Sequence, residues 1–137
     1  MSTGTGEFTV GSTLPPLAAG RITRTTLALF AGASGDHNPM HIDIDFARSA
    51  GLGDVFAHGM LSMAFLGRLL TDWFAPEAIL SYGVRFGAIT PVLAEPTATA
   101  TVAAIEEVDG ERRATLELAV TLPDGTVTLT GSAVVAL

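Results

Sequence analysis

The chain contains no cysteine, so disulfides, a thiolate nucleophile and a cysteine-ligated zinc site are all excluded. Lysine is absent as well: all seven basic residues are arginines, set against fourteen acidic ones. The formal charge of -7 and the pI near 4.7 argue against a nucleic-acid partner, because binding a phosphate backbone needs a basic stripe. An anionic membrane surface is disfavoured for the same reason. Any phosphate contact would have to come from forked guanidinium groups such as Arg21, Arg24, Arg68 or Arg85. Only 15% of residues are charged while 48% are hydrophobic, which excludes a disordered chain and points to extensive burial, a subunit interface included. At 137 residues the length matches one ordinary domain, residues 1–137. The start of the chain has no basic stretch followed by an apolar core, so it does not read as a secretory signal and the expected compartment is the cytoplasm.

The chain pattern is mixed. Residues 1–6 are small and polar and are expected to form a loose arm. "FTVGSTL" alternates weakly and predicts a short strand ended by Pro15-Pro16. "ITRTTLALFAGA" has helical spacing, with Thr23 or Thr25 as cap, Leu27, Phe30 and Ala31 on one face, and Gly32 and Gly35 ending it. Pro39 forbids regular helix across 34–44, which is expected to be a shaped loop. A short helix is predicted from Asp43 or Asp45 to Gly51. Residues 58–74 then form an apolar run of about four helical turns, too short for a membrane span and carrying Arg68 near its middle. Strands are predicted at 79–89, 97–108, 112–122 and 126–136, with "VDGE" and "PDGT" as hairpin turns. The expected class is α+β, an antiparallel sheet with one long helix lying against it.

Chemistry is concentrated in "SGDHNPMH", residues 34–41. Asp36 and His41 are separated by Asn38-Pro39, a bend that lets both side chains converge on one point. A carboxylate beside an imidazole is a general acid/base pair, and both can hold one water molecule. The plainer alternative is that Asp36 caps a turn, Asn38 makes an Asx-turn and His41 packs neutrally in the core. His37, His41, Asp43 and Asp45 satisfy a metal-ligand inventory, but Pro39 breaks the helix that His-x-x-x-His would need, so no metal is expected. In "AHGMLSM", Gly59 lies at the entry to the long helix, where its amide is an unpaired donor at the positive end of the dipole and suits an oxyanion. Gly59 equally suits tight helix packing, with His58 capping the helix.

The two segments together resemble the MaoC-like, (R)-specific enoyl-CoA hydratase and 3-hydroxyacyl dehydratase family of the hotdog fold. "FAGASGDHNPMHIDIDFA", residues 30–47, reads like its hydratase 2 motif. "VFAHGMLSMAFLGRLLTDWF" and "YGVRFGAITPVLAE" resemble its central helix and the strand that follows. The resemblance implies an antiparallel sheet wrapped around the helix. It makes Asp36 and His41 the catalytic pair, with the Gly59 amide and Asn38 on the oxyanion and substrate-binding side, Asn38 by bracing the loop. The implied reaction is syn addition of water to a trans-2-enoyl thioester, carried on CoA or an acyl carrier protein, with neither metal nor nicotinamide. It also implies a homodimer or a heterodimer with a related subunit. Where some members carry serine this chain has Gly67, which would widen the acyl tunnel; Phe56, Met60, Met63 and Phe65 are candidate tunnel walls. A hotdog thioesterase, and a scaffold subunit active only with a catalytic partner, are the competing readings.

Overall fold

In the computed structural model, which describes residues 7–137, the element order is β1 (Leu17–Ala18), α1 (Arg24–Ser34), α2 (Ile44–Ser49), α3 (Gly59–Trp73), β2 (Ile79–Phe86), β3 (Thr97–Val108), β4 (Glu111–Thr121) and β5 (Val127–Ala136). The expected arm at 1–6 lies outside the described residues. Five strands form one antiparallel sheet in the order β1-β3-β4-β5-β2. Helix α3 packs on its inner face against β3, β4 and β2. No helix among the described residues is long and apolar enough to cross a membrane.

Alternation along the strands explains this layering. Ala98, Ala100 and Val102 of β3, Leu116, Leu118 and Val120 of β4, and Leu129, Ala133 and Val135 of β5 are all buried. Each set has the two-residue period that points one face of a strand inward. From α3, Leu66, Leu69 and Leu70 complete the same core, at helical spacing. The β3–β4 turn has Asp109 at φ 52° and Gly110 at φ 79°. Two consecutive positive φ values match the right-handed twist of a hairpin, and an Asp-Gly pair adopts them at little cost. At the β4–β5 turn the Asp124 carboxylate accepts the Thr126 amide at 2.9 Å.

A second buried cluster, Ile22, Leu27, Ala47, Val55, Ala57 and Leu61, fastens α1 and α2 to the first turn of α3. Helix α1 begins at the cap Thr23, whose side chain accepts the Thr26 amide at 3.1 Å. It runs through Gly32, which was expected to end it; only Gly35, at φ 78°, adopts the left-handed conformation that closes it. Helix α2 is capped by Asp43, which accepts the amides of Asp45 and Phe46.

The expected strand at 8–14 is replaced by a turn with Gly11 at φ 90° and a single bridged pair, Thr13 with Thr101. Ser12 Oγ draws the segment into that turn by accepting the Thr9 amide at 3.1 Å. The prolines do not end the pairing; ladder contact resumes beyond them at Leu17 and Ala18, opposite Ala98 and Thr97. The later strands and the long helix fall within a few residues of expectation.

Because Leu66 is wholly buried between α3 and the sheet, Leu66→Ala should lower unfolding free energy by about 2–5 kcal/mol, read from the midpoint of a urea titration with an unchanged slope.

Candidate active site

The loop after α1 is built by short polar side chains. Asp36 Oδ1 accepts the Asn38 amide at 3.2 Å, and Asn38 Oδ1 accepts the Met40 amide at 3.1 Å. Pro39–His41 form one 3-10 turn, with Asn38 as its cap. This coil turns His41 inward, where it is 8% exposed, while Asp36 stays half exposed. Both the turn-capping role of Asp36 and the bracing role of Asn38 are therefore present in the backbone. They coexist with a close approach: Asp36 Oδ2 lies 3.9 Å from His41 Nε2.

The protonation pattern of His41 follows from its other ring nitrogen. Nδ1 is 2.7 Å from the Phe56 carbonyl, which can only accept, so Nδ1 carries the hydrogen. A neutral His41 thus presents the lone pair of Nε2 toward Asp36. At 3.9 Å the pair is too far apart for a direct hydrogen bond, and the gap has the width that a water about 2.8 Å from each atom would bridge.

Sequence reasoning missed His58 as part of this site. It was read as a cap for α3, yet its side chain makes no cap hydrogen bond. Instead it is 1% exposed, and Nε2 donates to the Asp36 carbonyl at 3.0 Å. Its ring stacks on His41 with centroids 4.0 Å apart, while Phe30 meets it edge-on at 4.9 Å. Burial, followed by the proximity of His41, holds the His58 pKa below its ordinary value against the opposing pull of the Asp36 carbonyl. A histidine directly before the helix glycine, in a segment otherwise apolar, was the available signal.

The ligand set weighed from sequence does not assemble. His37 is exposed, and Asp43 is spent as a cap. Asp36, His41 and His58 do bring candidate ligand atoms within 4.8 Å of one another. Their geometry suits proton transfer better than chelation. Imidazole lone pairs lie in the ring plane, and two rings stacked at 27° direct theirs along nearly parallel planes that do not meet at one ion.

Gly59 opens α3, so its amide has no acceptor within the helix. A β-carbon there would come within 2.8 Å of the Phe86 ring, which explains glycine by close packing. In the single chain, Gly59 borders a cleft of ≈ 330 Å³ shared with Phe56, Phe86 and Thr90. Asp36 borders a different, larger cleft of ≈ 500 Å³, lined by Phe30, Met60, Met63, Gly67 and Tyr82. Of the candidate tunnel walls, Met60 and Met63 line the Asp36 cleft and Phe56 the Gly59 cleft. Phe65 packs between the two cores. Gly67 faces Tyr82: a β-carbon would meet that ring at 3.7 Å. The Tyr82 hydroxyl donates to the Met63 carbonyl, and burial pushes its pKa up to about 12.

Arg24, a candidate phosphate ligand, makes a two-pronged pair with Asp54, at 2.7 and 2.6 Å. The hydrogen bond from this guanidinium holds the Asp54 pKa down to about 2. The pair ties the start of α1 to the segment whose Phe56 carbonyl orients His41.

A long helix cradled by an antiparallel sheet, with this loop at the helix entry, is the hotdog architecture of hydratases and dehydratases acting on acyl thioesters. The family model described as MaoC like domain matches residues 9–124, and the chain belongs to that dehydratase family. The chain is 33% identical over 106 residues to 3-hydroxyacyl-thioester dehydratase Z of Mycobacterium tuberculosis, covering 72% of this chain and 70% of that protein. It is 35% identical over 116 residues to the (R)-specific enoyl-CoA hydratase of Rhodospirillum rubrum, covering 83% and 78%. Among solved structures, the (R)-hydratase from A. caviae superposes with a TM-score of 0.83 at 29% identity, covering 95% of this chain and 97% of that one. The family membership and these relatives make the protein an enzyme of the lyase class.

A buried neutral histidine has a consequence for stability. Unfolded His58 binds a proton near pH 6.5, whereas the folded side chain resists it, so the unfolded state carries more protons as pH falls below that value. Stability should therefore decline on acidification from pH 7.5 to 5.5. The decline should be shallower in His58→Gln, as measured by urea unfolding at both pH values.

Proposed function

We propose that the enzyme catalyses (R)-specific hydration of trans-2-enoyl thioesters to (R)-3-hydroxyacyl thioesters, or the reverse dehydration. The observation that carries this reading is the 3.9 Å gap between Asp36 Oδ2 and His41 Nε2, the ring nitrogen not engaged by the Phe56 carbonyl, a gap that fits one shared water. Two relatives named (R)-specific enoyl-CoA hydratase support the stereochemistry, one of them the A. caviae protein at 30% identity over 111 residues.

In the hydration direction, an O–H bond of the held water breaks as its oxygen bonds to Cβ. The electron pair of the double bond moves onto the thioester oxygen, and the resulting enolate collapses when a proton from the same water ends on Cα. His41 Nε2 is the lone pair that handles the moving proton, and the Asp36 carboxylate is the second hold on the water. The Gly59 amide donates to the thioester oxygen, a contribution of about 3 kcal/mol for a preorganised donor. For the carbonyl to reach that amide, the half-exposed Phe86 ring turns aside and the two clefts become one. Asn38 acts through the loop and leaves the reacting atoms to the others. The apolar cleft beside Asp36 takes the acyl chain, with Gly67 leaving space against Tyr82. The chemistry is complete without metal or nicotinamide, and CoA or an acyl carrier protein is the carrier of the substrate. The cytoplasm is the proposed compartment.

With crotonyl-CoA, the purified enzyme should consume the enoyl absorbance without releasing free thiol. Thiol release without hydration would mean a thioesterase. Asp36→Asn and His41→Ala should each lower kcat by about 10²–10⁴-fold. Near wild-type turnover in either would remove this chain from the catalytic role.

The active unit is proposed to be a dimer, of identical chains or with a related subunit. Strand β2 is one of the two outer strands of the sheet, the longer of them, and it carries Leu80 and Phe86, which are 45% and 54% exposed. Pairing β2 with its counterpart would cover that edge. Analytical ultracentrifugation should give twice the mass of the chain, and a fully active monomer would defeat this reading.

A further inference from the structure

The cleft of ≈ 500 Å³ beside Asp36 has a direction. Four of its lining residues, Met60, Met63, Ala64 and Gly67, come from α3 at the spacing of a single helical stripe. At the rise of a helix that stripe is about 10 Å long. Asp36 stands at its near end, because its carbonyl is held by His58 at the entry of α3. Gly67 is the lining residue furthest from that entry, and Tyr82 stands against it, where a β-carbon on residue 67 would meet the tyrosine ring at 3.7 Å.

The Tyr82 ring is fixed at both ends. Its main chain lies in β2, paired with Ala133 of β5, and its ring packs on the main core. Its hydroxyl donates to the Met63 carbonyl of α3. Residues 63 and 67 are the two ends of one helical hydrogen bond. Burial raises the pKa of the hydroxyl and the Gly67 main chain opposes the rise, so both ends of that bond lie beside it. With its polar atom spent on the helix, Tyr82 offers the cleft a ring. Beyond Ser34 and Asp36 at the near end, the lining gives no polar side-chain atom to a group at the tip of a bound chain.

We propose that Tyr82 is a specificity-determining residue: it is the end wall of the acyl cleft, and it makes the preferred substrate a plain hydrocarbon chain of medium length. The inference rests on the hydration reading, which puts Cβ of the acyl group at Asp36. Contact between the terminal methyl and the ring takes up about 4 Å of the stripe. An extended chain advances about 1.2 Å per bond, a third of the peptide repeat, so the remainder holds about five carbons beyond Cβ. The preferred acyl group thus has about eight carbons. Met60 and Ala64 are exposed, so the cleft is open along one side and measures the length of a chain rather than its girth. Gly67 sets how far the tip can advance against the ring.

The test has one arm that needs no turnover. Alkyl-CoA thioethers of four, eight and twelve carbons are titrated calorimetrically into the full-length enzyme. Affinity should rise on the order of 10²-fold from four to eight carbons, about fourfold per buried methylene, and should gain nothing from eight to twelve. Tyr82→Ala should make twelve carbons bind at least about tenfold tighter than eight. Tyr82→Phe keeps the ring without its tether and should show a smaller gain of the same sign. Gly67→Ala, which a helix interior favours and which meets the ring only at ordinary contact distance, should weaken eight carbons relative to four by about tenfold. Affinity that keeps rising to twelve carbons in the wild type, or a length profile that neither Tyr82→Ala nor Gly67→Ala alters, overturns the wall. In the second arm, kcat/KM for trans-2-enoyl-CoAs of the same lengths should rank in the same order. An enzyme that hydrates none of them, yet shows the break at eight carbons and its response to position 82, would refute the proposed activity and leave the wall standing. Hydration with a break indifferent to both positions would do the reverse.

Discussion

The short hydrogen bond between His41 Nδ1 and the Phe56 carbonyl decides what the rest of the site can be. It consumes one nitrogen, fixes the tautomer, and leaves a single lone pair aimed at Asp36. The carbonyl belongs to a segment that is itself held in place. Phe56 donates its amide to the Met40 carbonyl, and the following Ala57 amide is taken by Thr90. The imidazole is therefore referenced to two distant parts of the chain, the turn that carries it and the segment following β2.

The same device occurs twice. His58 also spends one nitrogen on a main-chain carbonyl, that of Asp36, and stacks face to face with His41. Main-chain carbonyls are dependable anchors for this purpose, because they neither titrate nor rotate and always accept. Burial holds the His58 pKa below its ordinary value, which disfavours a positive charge a ring-thickness away from His41. The apolar scaffold serves these two contacts directly. The cluster around Leu27, Ala47, Val55 and Leu61 sets α1 and α2 against the entry of α3, and the loop hangs between fixed points.

What could be read from sequence was what depends on local rules. Alternation in "TATATV" and "TLELAV", the Asp-Gly turn at Asp109-Gly110 and the unbroken apolar run before Pro76 each settle structure over a few residues. The proximity of Asp36 and His41 was also local, since Pro39 forces the bend between them. The first strand was misread because its partner, β3, lies more than eighty residues away, and the interruption at Gly11 matters only against that partner's register. His58 was misread for a related reason. A cap is a local role, whereas its actual acceptor is the carbonyl of a residue twenty-two positions earlier. The Phe86 ring that covers Gly59 had no sequence signal, because it comes from β2, twenty-seven residues further along the chain.

The outer strand β2 also matters before any substrate arrives. A sheet border with unpaired amides and carbonyls, decorated with Leu80 and Phe86, accepts an added strand from whatever chain presents one. In this molecule the border has few deterrents: Ile79–Phe86 holds no proline and no lysine, Arg85 is its one charge, and a register irregularity between Ile79 and Ser81 is its one interruption. A newly made chain is thus adhesive along that line, and the speed with which the correct surface covers it governs how much of the protein escapes clumping.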